Sequence, residues 1–171
     1  RSRVINTWRD DDSPYFADEF TETLHTMEKA LNCRVVDWQY DSYSYNYRLT
    51  GNDADFTRPA YRIVTDIMGD LLKSSGRKVY YHNNGKKRVS RIIASCYCPF
   101  TGVYYDCAFT DAVKELHRPG NFYTWTYQDF CRLVFNNLFD MGVKSYEYWL
   151  SEDSVREDIE ANDYWFTANG A

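Results

Sequence analysis

Between residues 16 and 49 the apolar pattern changes period, and that change constrains the fold more than any other feature of the chain. Phe16, Phe20, Leu24, Met27 and Leu31 recur every three or four residues, the spacing of one helix face. From Arg34 the period drops to two: Val36, Trp38 and Tyr40 share one face, and after Asp41-Ser42 the residues Tyr43, Tyr45, Tyr47 and Leu49 share another. Side chains alternate across a strand, so this stretch reads as a hairpin with a short Asp-Ser turn. A helix running straight into a hairpin, with further hairpins and helices beyond, predicts the α+β class: an antiparallel or mixed sheet with helices packed on it.

The first helix is expected over Pro14 to Asn32, with Ser13 as its cap and Asp18 and Glu19 in its first turn, where the positive helix end favours acids. Gly51-Asn52-Asp53 breaks the hairpin. A second helix is announced by Thr57 and Pro59, carries Ala60, Val64, Ile67, Met68 and Leu71 on one stripe, and stops at Ser74-Ser75-Gly76. Asn83-Asn84-Gly85, between Lys78 to His82 and Lys86 to Cys98, marks a second hairpin, because Asn-Gly suits the tight turn between paired strands. Cys98 to Gly102 reads as a turn and Val103 to Phe109 as extended. A short helix is expected over Thr110 to Leu116 and a firmer one over Thr126 to Met141, stopped by Gly142. Val143 to Leu150 reads as a strand. Ser154 with Glu157 resembles a capping box opening a last helix to Asn162, before an extended Tyr164-Trp165-Phe166. No linker divides the 171 residues, so one domain over 1–171 is expected, with 1–12 as an N-terminal arm.

No run approaches the roughly 20 apolar residues of a membrane span. The opening stretch, Arg1 to Asp12, is polar and lacks a leader's apolar core. The five cysteines, Cys33, Cys96, Cys98, Cys107 and Cys131, are odd in number and lack the spacing of secreted disulfide domains. A cytoplasmic protein with reduced thiols is expected. Aromatic residues make up 18% of the chain, with 16 Tyr, 10 Phe and 5 Trp. Such a chain can build a core and still present surface where Tyr pairs an apolar body with a polar tip suited to binding; the alternative is a Tyr-rich sheet packed on helices.

The net charge of −5 hides a partition. Residues 1–57 carry 6 basic and 11 acidic side chains, 58–118 carry 11 and 5, and 119–171 carry 3 and 9. Between Lys73 and Tyr105 there is no acid. The basic hairpin of residues 78–91 places Lys78, Lys86, Lys87, Arg88 and Arg91 among Tyr80, Tyr81 and His82, a makeup suited to phosphates and bases. The same residues would serve as edge protection, or as ion-pair partners for the acidic ends of this or a second copy. The acidic ends, Asp10-Asp11-Asp12 and Glu152-Asp153 with Glu157-Asp158, present carboxylates where a nucleic-acid-binding partner expects phosphates, or form plain solvated surface.

Catalytic signals are sparse. Cys96-x-Cys98 and Cys107, with His82 and His117, offer thiolate and imidazole ligands, but the pair is one residue closer than structural zinc sites use. On a strand that spacing equally puts two small apolar groups into a core. No Gly-x-Ser-x-Gly elbow and no Gly-rich phosphate loop occurs. No cofactor is expected.

Three motifs resemble a family of small phage- and plasmid-borne proteins, some labelled as antitoxin components. They are Trp38-x-Tyr40-x-x-Tyr43-Ser44, Cys98-Pro99-x-Thr101-Gly102-x-x-Tyr105-Asp106, and Asn162-Asp163-Tyr164-x-Phe166 with a nearby Asn-Gly. The resemblance implies an accessory protein of a mobile element that binds and blocks a host or rival protein, such as a defence nuclease or a toxin. No catalytic residues come with it. The residues also have plain structural readings: Thr101-Gly102 as a turn, Asp106 as an acceptor of backbone hydrogen bonds, Asn162 as a helix cap. Candidate binding residues are therefore Tyr40, Tyr43, Tyr45 and Tyr47; Lys78, Lys86, Lys87, Arg88 and Arg91; and Glu152, Asp153, Glu157 and Asp158. The alternatives are nucleic-acid binding through the basic hairpin, and a small metal or thiol enzyme at Cys96, Cys98 and Cys107. A homodimer is compatible with the sequence.

Overall fold

A computed structural model describes Pro14 and residues 16–74, 82–83, 88–89, 100–118 and 120–161. The chain is α+β. Its elements are α1 (Ala17–Leu31), β1 (Cys33–Tyr40), β2 (Tyr45–Gly51), α2 (Asp53–Phe56), α3 (Ala60–Ser74), β3 (His82–Asn83), β4 (Arg88–Val89), a 3₁₀ turn (Tyr104–Asp106), α4 (Cys107–Leu116), α5 (Asn121–Thr124), α6 (Tyr127–Trp149) and α7 (Glu152–Ala161). β1 pairs antiparallel with β2, and β3 with β4.

The core lies where α1, α4, α6 and the inner face of the first hairpin meet. All five apolar residues of the α1 stripe are buried, with Phe20, Leu24, Met27 and Leu31 fully so. Helix α6 contributes Phe130, Val134, Phe135, Leu138 and Phe139. Phe20 is the hub, lying 4.5 Å from the Tyr40 ring, 5.3 Å from Phe139 and 5.6 Å edge-on from Tyr105. Such offset and edge-on pairs add stabilisation beyond area burial.

The first hairpin departs from simple alternation. Cys33 and Val35 are buried on β1, while Val36, Trp38 and Tyr40 are half-buried. The register slips between Val36 and Gln39, so Asp37 and Trp38 oppose Tyr47 alone. Asp37 sits at φ +53°, in the left-handed region that Asp tolerates better than most residues. This β-bulge hands the inward positions from Cys33 and Val35 to Trp38 and Tyr40. Asp41 closes the turn: its carboxylate accepts the N–H groups of Tyr43 and Ser44, and these bonds hold its pKa below the ordinary range. Tyr43 thus lies in the turn, apart from the strand face expected for it.

Two segments expected to be extended are helical. Val103 to Phe109 forms the 3₁₀ turn and the start of α4, which begins at Cys107 and not Thr110. The cause is Asp106, fully buried, whose carboxylate accepts the N–H groups of Phe100, Thr101 and Gly102 and the Thr101 hydroxyl. The loop wraps around that side chain and turns the chain into a helix. Val143 to Leu150 continues α6, which does not stop at Gly142. A Cβ on Gly142 would lie 2.8 Å from the Phe20 ring and 3.1 Å from Tyr40. The glycine is there for ring packing, not termination. Ser154 is buried inside α7, and the Ser151 hydroxyl accepts its N–H; the cap is three residues earlier than expected. Ser13, Asn162 and Tyr164 to Phe166 lie outside the described residues.

Candidate functional site

The best-formed surface feature is an aromatic cluster that the sequence did not single out. Helix α5 carries Phe122 and Tyr123, and the first turn of α3 carries Tyr61 and Arg62. They meet because the chain before α3 is tied to the start of α6: the Ala60 N–H donates to the Trp125 carbonyl at 3.0 Å, and the Tyr127 N–H to the Arg58 carbonyl at 2.8 Å. The Tyr61 and Phe122 rings stack at 5.1 Å, and Tyr123 meets both edge-on, at 5.9 and 5.0 Å. His117, whose Nδ1–H donates to the Val113 carbonyl at 2.7 Å, presents its ring to Phe122 at 5.5 Å. The Arg62 guanidinium lies 5.8 Å from the Tyr61 ring centre, within reach of a cation–π contact. Tyr123 is 79% exposed. On the segments that flank the rings in the chain, Arg58 pairs with Asp55, Lys114 with Asp111 and Arg118 with Glu115.

An aromatic centre with a charge-balanced rim has the anatomy of a protein–protein hot spot, where Tyr and Arg anchors sit inside a polar ring. The sequence signal was present in Asn121-Phe122-Tyr123-Thr124, aromatics placed in a turn directly after Pro119-Gly120.

Of the tyrosines expected to bind, Tyr43 is 90% exposed. Tyr40, Tyr45 and Tyr47 are half-buried on the hairpin's inner face, with Tyr47 stacked 5.0 Å from Phe139 and Tyr45 5.4 Å from it. Burial raises the pKa of all three, Tyr47 to about 12. The Tyr47 hydroxyl donates to Asn136 Oδ1 at 2.7 Å. Tyr104, the first residue of the 3₁₀ turn, is 68% exposed.

Glu152, Asp153 and Glu157 are exposed on α7 and Asp158 is half-buried. Arg156 pairs with Glu152, and the Tyr148 hydroxyl donates to Glu157 at 2.6 Å. Arg156 is the one base in α7. Arg88 lies in β4, whose pairing with β3 matches the expected second hairpin. Lys78, Lys86, Lys87 and Arg91 lie outside the described residues, as do Cys96 and Cys98.

Cys33, Cys107 and Cys131 are buried. A hydrogen bond that its S–H donates to Cys131, then burial, pushes the Cys33 thiol far above its ordinary value, the opposite of what a nucleophile needs. No group of three or more metal-ligating side chains occurs among the described residues, and none of their helices is long and apolar enough to cross a membrane. A cleft of about 860 Å³ runs between α1 and the hairpin and is lined by His25, Lys29, Arg34 and Thr50 among others. Glu28 bridges it, accepting the Val35 N–H at 2.6 Å.

The fold and site thus define an α+β protein with an aromatic–arginine surface. Comparison with protein-family models, curated proteins and solved structures gives no match to the chain.

Proposed function

We propose that this protein works by binding a protein partner. The observation that carries the reading is the Tyr61–Phe122–Tyr123 cluster with Arg62: a folded chain gains by burying such rings, and this one leaves Tyr61 and Phe122 half-buried and Tyr123 exposed on their edge. The charge-balanced rim favours a protein over a polyanion, which demands net positive charge. The sequence resemblance extends the reading to a mobile-element accessory protein that blocks a host or rival factor of the defence-nuclease or toxin class. The exposed carboxylates of α7 would then add electrostatic steering towards a basic partner. Affinity capture from a bacterial lysate, with and without nuclease, tests this: a protein retained after nuclease treatment is the expected result. Loss of all captured protein on nuclease treatment contradicts it.

A second reading, nucleic-acid binding, draws on the antiparallel pairing of His82–Asn83 with Arg88–Val89 inside the basic stretch. It expects affinity that falls steeply with salt and drops when Lys86, Lys87 and Arg88 become Ala.

A further inference from the structure

The two edges of the first hairpin are treated differently. In an antiparallel ladder, residue pairs alternate between those that exchange backbone hydrogen bonds and those whose N–H and C=O point outward. Val35 pairs with Leu49, and the Val35 N–H donates away from the ladder to Glu28 Oε1. Val35–Leu49 is therefore an outward-pointing pair. On β1 the Glu28 carboxylate covers that edge, as proteins commonly do to block stray strand pairing.

On β2 the corresponding groups are Leu49 and, two residues back, Tyr47 and Tyr45. No hydrogen bond to another described residue occupies their outward N–H and C=O groups. They face a groove of about 450 Å³ lined by the consecutive residues Tyr45 to Leu49 on one side and by Arg132 and Asn136 of α6 on the other. Consecutive strand residues lining one groove is what a strand edge presents, since side chains alone would contribute alternate positions. Tyr47 fixes the far wall by donating to Asn136 Oδ1 and to the Arg132 carbonyl. That leaves the Asn136 amide N–H₂ and the Arg132 guanidinium as donors. Arg132 is exposed and meets no carboxylate among the described residues, and Arg48 stands at the same edge with Asp37 as its partner.

We infer that the β2 edge accepts an extended, acidic segment of a partner protein as an added strand; this rests on the protein-binding reading above. Backbone pairing at Tyr47 and Leu49 would supply affinity, and Arg132, which unlike Arg48 has no carboxylate beside it among the described residues, would select a carboxylate on the incoming strand. The same cations disfavour a second copy in this position, because two-fold pairing of β2 with itself brings Arg48 and Arg132 against their equivalents.

The test uses the full chain and two synthetic peptides of about ten residues, the length of a long strand. Both alternate Val with Thr, one carrying two Asp and the other two Lys. The Asp peptide is expected to bind about fivefold to tenfold more tightly, the effect of an exposed ion pair gained at Arg132 against a like-charge contact in the Lys peptide, and to slow hydrogen exchange at the Tyr47 and Leu49 amides. Arg132→Glu should reverse the preference without touching the backbone. Leu49→Pro should abolish binding, since it removes an outward N–H that the β1 ladder does not use. Equal binding of both peptides, protection elsewhere, or self-association through Leu49 would overturn the inference. So would a captured partner whose affinity ignores both variants, an outcome that leaves the protein-binding reading standing.

Discussion

Asp106 carries more of the local structure than any other single side chain. Fully buried, it accepts three backbone N–H groups and one hydroxyl. Asp106→Ala orphans those donors, at roughly 1–3 kcal/mol for each one left unsatisfied. A total loss of about 3 kcal/mol or more is expected after partial rehydration. At roughly 2–4 °C per kcal/mol for a chain of this size, Tm should fall by about 6–12 °C. Asp106→Asn keeps one acceptor oxygen and should cost less; thermal and denaturant unfolding of both variants checks the order. Tyr47 supplies the pH counterpart. Its phenol is held up from 10.0 to about 12 by burial first, with Tyr45 and Asp140 adding to it. The folded state thus binds this proton more tightly than the unfolded one. The resulting stabilisation is complete below pH 10 and is lost as pH rises towards 12. Tyr40 and Tyr127 shift the same way. Absorbance titration should show a class of tyrosines ionising late, with unfolding setting in on the alkaline side. Ionisation of all tyrosines near pH 10 in the folded state contradicts the packing of these rings.

Among the elements, α6 shows how local signals and packing compete. Gly142 reads as a stop by propensity, and the helix runs through it to Trp149. Replacing it with Ala should gain about 1 kcal/mol of helix propensity. The added Cβ meets the Phe20 ring at 2.8 Å, and overpacking of this kind costs about 1–3 kcal/mol. Phe20 is itself fixed by Trp38, Tyr40, Tyr105 and Phe139, so the clash should win and Gly142→Ala should destabilise. In a Phe20→Leu background the same change should turn neutral or stabilising, a coupling that a double-mutant cycle measures. The start of α6 obeys its local signal. Thr126 and Asp129 form a reciprocal capping box, and Thr126→Ala should cost about 1 kcal/mol in a denaturant titration. The α1 stripe and the first hairpin were legible for the same reason: their periods are local and their neighbours agree with them. Val103 to Phe109 and Val143 to Leu150 were not, because β-favouring side chains there are overruled by the Asp106 knot and by continued packing of α6. The bulge at Asp37 leaves no mark on sequence alternation beyond a parity that fails at Val35.

At the scale of the whole molecule, charge and aromatic content were readable from the sequence, but their placement was not. The aromatic excess divides between Tyr40, Tyr45 and Tyr47, which serve the core, and Tyr43, Tyr104 and Tyr123, which face outward. Strand alternation alone cannot separate the two, because a bulge or a turn changes which face is buried. The cluster of Tyr61, Phe122 and Tyr123 comes from residues some sixty positions apart, brought together by the backbone clamp at Pro59 and Thr126. The central claim is that this face engages a protein. The most direct test is titration calorimetry of a captured, nuclease-resistant partner against the native chain and against Tyr123→Ala, whose exposed ring carries little of the fold. Loss of about 2 kcal/mol of binding, roughly thirtyfold in Kd, with unchanged Tm is the result the account predicts. Undiminished affinity in Tyr123→Ala, Phe122→Ala and Tyr61→Ala alike would contradict it.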